Sequence, residues 1–254
     1  MRFASLGSGS RGNGLLVEAG ATRILVDCGF PLRDAAARLA RLGLAPGDVS
    51  AIVVTHEHSD HIGGVFRLAS RYAIPVWMTH GTRSAVAGRA DVLRVEVFDS
   101  HAPFHIGDLQ VLPFPVPHDA REPVQFVFSE GCTRLGVLTD IGETTPHVEA
   151  MLSGCHGLVL ECNHDAQLLR DGDYPPALKR RIAGRYGHLE NQAAARLLAR
   201  LDTRRLQHLI AAHLSQQNNT ADRARAALAA VLGCAAEWIG VADQDRGLDW
   251  RSLA

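Results

Sequence analysis

Three histidines and an aspartate fall within six residues in the stretch Thr55-His56-Glu57-His58-Ser59-Asp60-His61. Imidazole and carboxylate donors at this density suit zinc, manganese or iron. A lone histidine on a turn reads as surface polarity, but this run sits in a more telling place. Ala51-Ile52-Val53-Val54 precedes it, an apolar, β-branched run that reads as a buried strand. Ile62 to Ala69 follows and reads as the first turns of a helix reaching Tyr72. The cluster therefore lies at the carboxyl end of a strand on the turn into a helix, where open α/β layers bind ligands. His56 and His58 are two residues apart, so in an extended segment both point the same way and can share one ion. Asp60 and His61, at the helix start, can turn towards a second ion beside it.

Other strand ends carry the same residue types. His118 lies just past an alternating strand, Leu109 to Phe114. Asp140 ends the apolar strand Arg134 to Leu138 and precedes Ile141-Gly142. An aspartate there could cap a helix, but Thr144 or Thr145 before Pro146 is the better cap. His213 follows the buried run Leu206 to Ala211. Glu161, Asn163 and His164 follow another buried run, Gly157 to Leu160, either as residues orienting a metal ligand or as a surface loop.

The elements needed to place these residues are readable along the chain. Strands are expected at Phe3–Leu6, Leu15–Glu18, Arg23–Asp27, Val76–Thr79, Val92–Phe98, Val124–Phe128 and, briefly, near Trp238–Val241. Helices are expected over Pro31–Leu42, near Pro146–Leu152, from Gly187–Asn191 to Leu201, and from a Thr220 cap to Leu232. The glycine-rich stretch Gly7 to Gly14 lacks the Gly-Lys-Ser/Thr ending of a P-loop. It reads as a hairpin turn or as a loop packed near the floor of the site.

Composition narrows the class. The chain has 254 residues and is 46% hydrophobic, enough for a sizeable core. Its formal charge of −1 carries no overall polyanion signal. Between Arg170 and Arg225, however, eleven basic residues face five acidic ones. A phosphate-bearing partner could use such a face, and solvated helix faces would look the same. The five cysteines, Cys28, Cys132, Cys155, Cys162 and Cys234, are odd in number and scattered. That argues against a disulfide framework and for a reducing compartment. No apolar run approaches a membrane span, and no signal peptide opens the chain. A cytoplasmic protein that does not enter a membrane is the expectation.

Taken together, the strand-end residues resemble the ligand set of the metallo-β-lactamase fold across nearly the whole chain. The resemblance implies an α/β protein, a four-layer αββα sandwich with a dinuclear metal site at the shared edge of two sheets. It implies one domain over residues 1–254, with two pseudo-symmetric halves divided near 140–155. Carried over residue by residue, His56, His58 and His118 would hold one ion, and Asp60, His61 and His213 the other. Asp140 would bridge them. A water between two such ions is acidified towards hydroxide and attacks phosphorus or a carbonyl carbon. Asp60 would be both ligand and catalytic group.

His188 lies 25 residues before His213. That placement resembles the extra histidine of the fold's phosphodiesterase branch, where it would protonate the leaving group. Finer features resemble the bacterial YycJ/WalJ-like branch. They are the opening Ser5-Leu6-Gly7-Ser8-Gly9-Ser10 with Asn13, the Leu160–Asp165 segment, Tyr174-Pro175, Gly187-His188-Leu189, and His213-Leu214-Ser215 with Asn218-Asn219. Glu190 departs from the serine expected after Gly-His-Leu. The branch implies a 5′-to-3′ DNA exonuclease using two divalent ions, zinc, manganese or iron, with DNA as the partner. It also suggests substrate contacts from Ser8, Asn13 and Asn218. A small-molecule phosphodiesterase shares every ligand. A thioester or lactone hydrolase would not need His188, and a binding protein with a dead site would not need an intact ligand set.

Overall fold

A computed structural model of the chain describes residues 1–88 and 94–254. Two seven-stranded mixed sheets stack face to face. The first contains β1 (Arg2–Gly7), β2 (Gly14–Ala19), β3 (Thr22–Val26), β4 (Ala51–Val53), β5 (Val76–Thr79), β6 (Val95–Phe98) and β14 (Leu248–Ser252), in the order β14-β1-β2-β3-β4-β5-β6. The second contains β7 (Phe104–Ile106), β8 (Leu109–Pro115), β9 (Val124–Glu130), β10 (Thr133–Leu138), β11 (Gly157–Glu161), β12 (His208–Ala212) and β13 (Gly240–Val241), in the order β13-β12-β11-β10-β9-β8-β7. Each sheet changes once from antiparallel to parallel pairing, at β3 in the first and at β10 in the second. The parallel strands thus bring their carboxyl ends to one edge, where turns into helices leave room for a ligand.

Three apolar clusters hold four layers together. Phe3, Val17 and Ile24 of the first sheet pack with Phe126, Phe128 and Val137 of the second, forming the core between sheets. On the outer face of the first sheet, Leu16, Leu25 and Ile52 pack against α1 (Leu32–Arg41) and α3 (Val65–Tyr72) through Leu39 and Leu68. The outer face of the second is covered by α5 (Pro146–Leu152), α8 (Asn191–Leu198) and α9 (Ala221–Leu232), through Val148, Leu197 and Leu228. Strands buried on both faces read as continuous apolar runs, which is why Ile52–Val54 and Leu206–Ala211 stood out. The remaining helices are α2 (Ser59–Ile62), α4 (His80–Ala85), α6 (Ala166–Asp171) and α7 (Pro176–Ile182).

Several expectations need correction. The chain passes from the first sheet to the second between Phe98 and Phe104 and returns between Val241 and Leu248, so the sheets do not divide near 140–155. Residues 140–155 fall inside the second sheet, where its antiparallel meander gives way to the parallel β10–β11 crossover. The helix expected from Ile62 to Tyr72 is two helices. Gly64 packs so closely that a Cβ would lie 1.8 Å from the Phe30 carbonyl oxygen, and its N–H donates to the Cys28 carbonyl at 2.7 Å. Val92 and Leu93, expected in a strand, lie outside the described residues; that strand is described from Val95. Strands β7 and β14 and helix α4 had no clear signal. Both threonine caps are as read: Thr145 accepts from Val148 N and Thr220 from Arg223 N, each at 3.2 Å. All five cysteines are free. Among the described residues, no helix is long and apolar enough to cross a membrane.

Candidate metal centre

The strand ends converge on one buried cluster. Thr55 and His56 leave β4, and His58 caps the short α2, which carries Asp60 and His61. His118 follows β8, Asp140 follows β10, Glu161 ends β11 and His213 follows β12. Four groupings of their ligand atoms, each within 4.8 Å, could hold a cation: His56/His58/His118, Asp60/His61/His213, His56/His61/Asp140 and Asp140/Glu161/His188/His213. Asp140 is common to two of them. The seven residues expected as ligands are thus brought together, with Asp140 between the two triads.

Each histidine is tied through one ring nitrogen and turns the other towards the centre, where Asn13 Nδ2 lies 3.1 Å from His61 Nε2. His61 Nδ1 donates to Asp27 Oδ2 at 2.8 Å. His56 Nδ1 donates to Thr55 Oγ1 at 2.9 Å, and that hydroxyl donates to Asp27 Oδ2 at 2.7 Å. His118 Nδ1 donates to the Gly187 carbonyl at 3.0 Å. His213 Nδ1 donates to Glu161 Oε1 at 3.0 Å. His58 is reversed: its Nε2 donates to the Asp119 carbonyl at 3.2 Å. Such partners fix tautomer and ring angle. The inward atoms His56 Nε2 and His213 Nε2 are buried and have no hydrogen-bond partner, while Asp140 Oδ2 meets His61 Nε2 at 2.9 Å. Unsatisfied buried polar atoms are costly, and two imidazole nitrogens left so among carboxylates fit a cation.

The backbone is strained at the same places. Asp27, Asp140 and His213 have φ of 59°, 52° and 54°, the left-handed region that L-residues rarely enter. Such strain gathers where the surroundings over-determine a side chain's position. Asp140 caps no helix.

The electrostatics follow from packing carboxylates among imidazoles. Burial works against charge on His61, yet Asp140, Asp27 and Asp60 outweigh it and hold its pKa well above the ordinary value. His213 is likewise raised to about 10, its burial overcome by Asp140, Asp60 and Glu161. His56 lacks such compensation; burial, with His61 adding to it, keeps its pKa well below the usual value. Burial opposes ionisation of Asp60 and Asp140, but the facing histidines win and hold both carboxyls below the carboxylate range.

Glu161 is fully buried and saturated. Its Oε1 accepts from His188 Nδ1 at 2.8 Å as well as from His213, and its Oε2 accepts from Ile141 N at 2.9 Å and Leu189 N at 3.1 Å. His188 therefore presents Nε2 outward, lining a cavity of about 390 Å3 above the centre with Asp60, Asp140 and Tyr174. Asn163 Nδ2 donates to the His213 carbonyl at 3.0 Å. His164 is buried and its Nδ1 lies 3.3 Å from Asn163 Oδ1. The surface-loop alternative for these residues is thus excluded.

The three side chains expected to meet substrate have internal partners instead. Ser8 Oγ accepts from His213 N at 2.9 Å and donates to Asn13 Oδ1 at 3.2 Å. Asn13 is 5% exposed, and its Nδ2 lies 3.3 Å from Asp60 Oδ2. Asn218 is 2% exposed and turned to Ser215 Oγ. Their physical role is to hold the loops beneath the centre. Asp27 was missed. Its one signal was an aspartate ending an apolar strand, the feature that drew attention to Asp140.

Comparison with known proteins agrees with this architecture. Residues 22–210 match the β-lactamase superfamily domain. The chain is 37% identical over 235 residues to exodeoxyribonuclease YycJ of Bacillus anthracis, covering 91% of this chain and 89% of that protein. It is 32% identical over 245 residues to exodeoxyribonuclease WalJ of Streptococcus pneumoniae, covering 94% and 91%. Among solved structures, the metallo-β-lactamase fold protein YhfI of Bacillus subtilis superposes with a TM-score of 0.78 at 16% identity over 98% of each chain. Matched along residues 22–210 by the family model and over nine-tenths of its length by the two relatives, the chain belongs to the β-lactamase superfamily, on the branch of YycJ and WalJ, as a metal-dependent hydrolase.

Proposed function

We propose that this protein is a 5′-to-3′ DNA exonuclease working with two divalent cations. The observation that carries the reading is His188. It is tied to buried Glu161 through Nδ1, beside the ligand cluster, with Nε2 facing the cavity. A thioester, whose thiolate leaves without a proton, has no need of a donor so placed; a phosphodiester with an alkoxide leaving group does. The names of the two relatives, both exodeoxyribonucleases, support DNA as the substrate.

In this reading His56, His58 and His118 would hold one cation and Asp60, His61 and His213 the other, and Asp140 would contribute to both. When bound, the cations supply Lewis acidity and lower the pKa of the attacking water. The chain's own groups do the rest. Asp60, kept ionised by its histidine neighbours, accepts a hydrogen bond from that water and aims it. Asn13, 3.3 Å from Asp60 Oδ2, holds the carboxylate in place. His188 Nε2 delivers a proton to the departing sugar oxygen. In the metal-free protein burial works against charge on His188, and Glu161 and Asp140 outweigh it and raise its pKa above the ordinary value. It is the acid below its pKa and loses that role as pH rises through it.

The test is incubation of manganese-loaded protein with duplex DNA labelled at the 5′ or the 3′ end, beside Asp140→Ala. Progressive shortening from the 5′ end by wild type alone supports the proposal. Cleavage by Asp140→Ala at the same rate would mark a contaminant. The alternative, a small-molecule phosphodiesterase, is favoured by the modest size of the central cavity; turnover of bis-p-nitrophenyl phosphate with intact DNA would select it.

A further inference from the structure

A second cavity, of about 660 Å3, opens beside the first. Of their lining residues only His188 belongs to both. Helix α7 forms the wall between them. Leu178, Arg181 and Ile182 line the metal-centre cavity, whereas Lys179, Arg180 and Ala183, just past the helix end, line the second. This accounts for a helix with no buried residue: open space lies on both sides of it.

The second cavity has an apolar side and a cationic side. Leu169, Leu189 and Ala193 make the first; Arg170, Lys179, Arg180, Arg196 and Arg200 bring the second. The two lining carboxylates are already engaged, Glu190 with Arg196 at 3.0 Å and Glu143 with Arg185 outside the cavity. Arg200 is bonded to Glu149 at 2.7 Å. Lys179 Nζ donates to the Arg170 carbonyl at 2.7 Å, which ties the end of α6 to α7. Arg170 and Arg180 make no ion pair among the described residues. Unneutralised guanidiniums beside apolar surface recognise an anion attached to an apolar body. The volume lies within the ~300–1,000 Å3 typical of small-molecule sites.

We propose that this cavity holds the nucleotide next to the scissile bond at a single-strand end, with its phosphate at Arg170 and Arg180 and its base against Leu169, Leu189 and Ala193. The proposal rests on the phosphodiesterase reading. A strand running from the metal centre into the cavity passes His188, which places the bond to be broken beside Nε2. The cavity then selects a strand end, because its space takes a nucleotide and not a duplex.

Calorimetric titration of thymidine 5′-monophosphate into the manganese-loaded protein tests this without turnover. Arg170→Gln/Arg180→Gln is expected to bind about tenfold more weakly, the loss of charge-assisted hydrogen bonds. Both variant positions are exposed, and melting curves check that the fold is intact. Ala193→Trp, which fills the apolar side, should weaken nucleotide binding as well. Equal nucleotide binding by wild type and both variants overturns the proposal. Turnover separates it from the reading beneath it. If metal-loaded wild type leaves both DNA and bis-p-nitrophenyl phosphate intact, the phosphodiesterase reading fails, and the cavity proposal with it. If it cleaves both, and the ratio of the two rates is the same in Arg170→Gln/Arg180→Gln, the cavity proposal alone fails. A fall of about tenfold in that ratio supports it.

Discussion

At the scale of single residues, the centre depends on groups one step behind the ligands. Asp27 holds His61 directly and His56 through Thr55. Asp27→Asn removes charge from both tethers and should lower metal affinity about 10- to 100-fold. Competition with a chromogenic chelator measures it; unchanged affinity would leave Asp27 a purely structural part. Proton linkage gives a second expectation. In the metal-free protein the His213 pKa lies near 10, so at neutral pH its proton must leave before Nε2 can bind a cation. Metal affinity should therefore rise with pH across the neutral range, with proton release visible by calorimetry in buffers of different ionisation enthalpy. No release would mean that His213 is already neutral or takes no part. His188 gives the third. His188→Ala should slow DNA cleavage about 10²- to 10⁴-fold, with metal content unchanged. Hydrolysis of bis-p-nitrophenyl phosphate, whose leaving group needs no proton, should fall far less. Equal losses on both substrates would remove His188 from the role of acid.

At the scale of elements, ends matter more than middles. The ligands sit on the residues just after β4, β8, β10 and β12, where the backbone leaves the ladder and can take the left-handed turns of Asp140 and His213. Helix α9 packs behind β12 through Leu228 and Ala224 and so supports His213 from the outside. Its start depends on Thr220 Oγ1. Thr220→Ala should cost about 1 kcal/mol of stability, read from urea unfolding, without loss of activity per folded molecule. A change below a few tenths would show that packing alone defines this helix end. Helix α7 differs from the rest: with a cavity on each face, it contributes walls and not core.

At the scale of the whole molecule, the site is where the two sheets share an edge, and both contribute donors. The first sheet brings Asp27 and the 56–61 cluster; the second brings His118, Asp140, Glu161 and His213. Cations bound there would tie the halves together. Ligands that bind only the folded state stabilise it in proportion to the logarithm of their concentration over Kd. Chelation should therefore lower the melting temperature and abolish hydrolysis together, and manganese should restore both. A melting temperature insensitive to chelation would mean that the centre is preformed without help from metal. The basic residues from Arg170 to Arg225, spread over α6 to α9 and the loops between them, line the second cavity only in part: Arg204 and Arg223 are not in its wall and pair with Asp202 and Asp165.

The sequence alone picked out the residues proposed as ligands and the elements beneath them, because both are written locally. Hydrophobic runs mark buried strands, and a histidine or aspartate at the end of such a run is a candidate whatever its distant partners. Thr145 and Thr220 were legible as caps for the same reason. Tertiary structure decided what meets what. Ser8 reaches His213 across 205 positions, and Asp27 reaches His61 across 34. No local pattern encodes such pairings. They are set by sheet order and by the stacking of one sheet on the other. That is why Asp27 went unread, why Ser8, Asn13 and Asn218 turned from expected substrate contacts into buried props, and why the division between halves lay elsewhere. The break at Gly64 has the same origin: the nearness of the Phe30 carbonyl, fixed by packing, makes glycine necessary there.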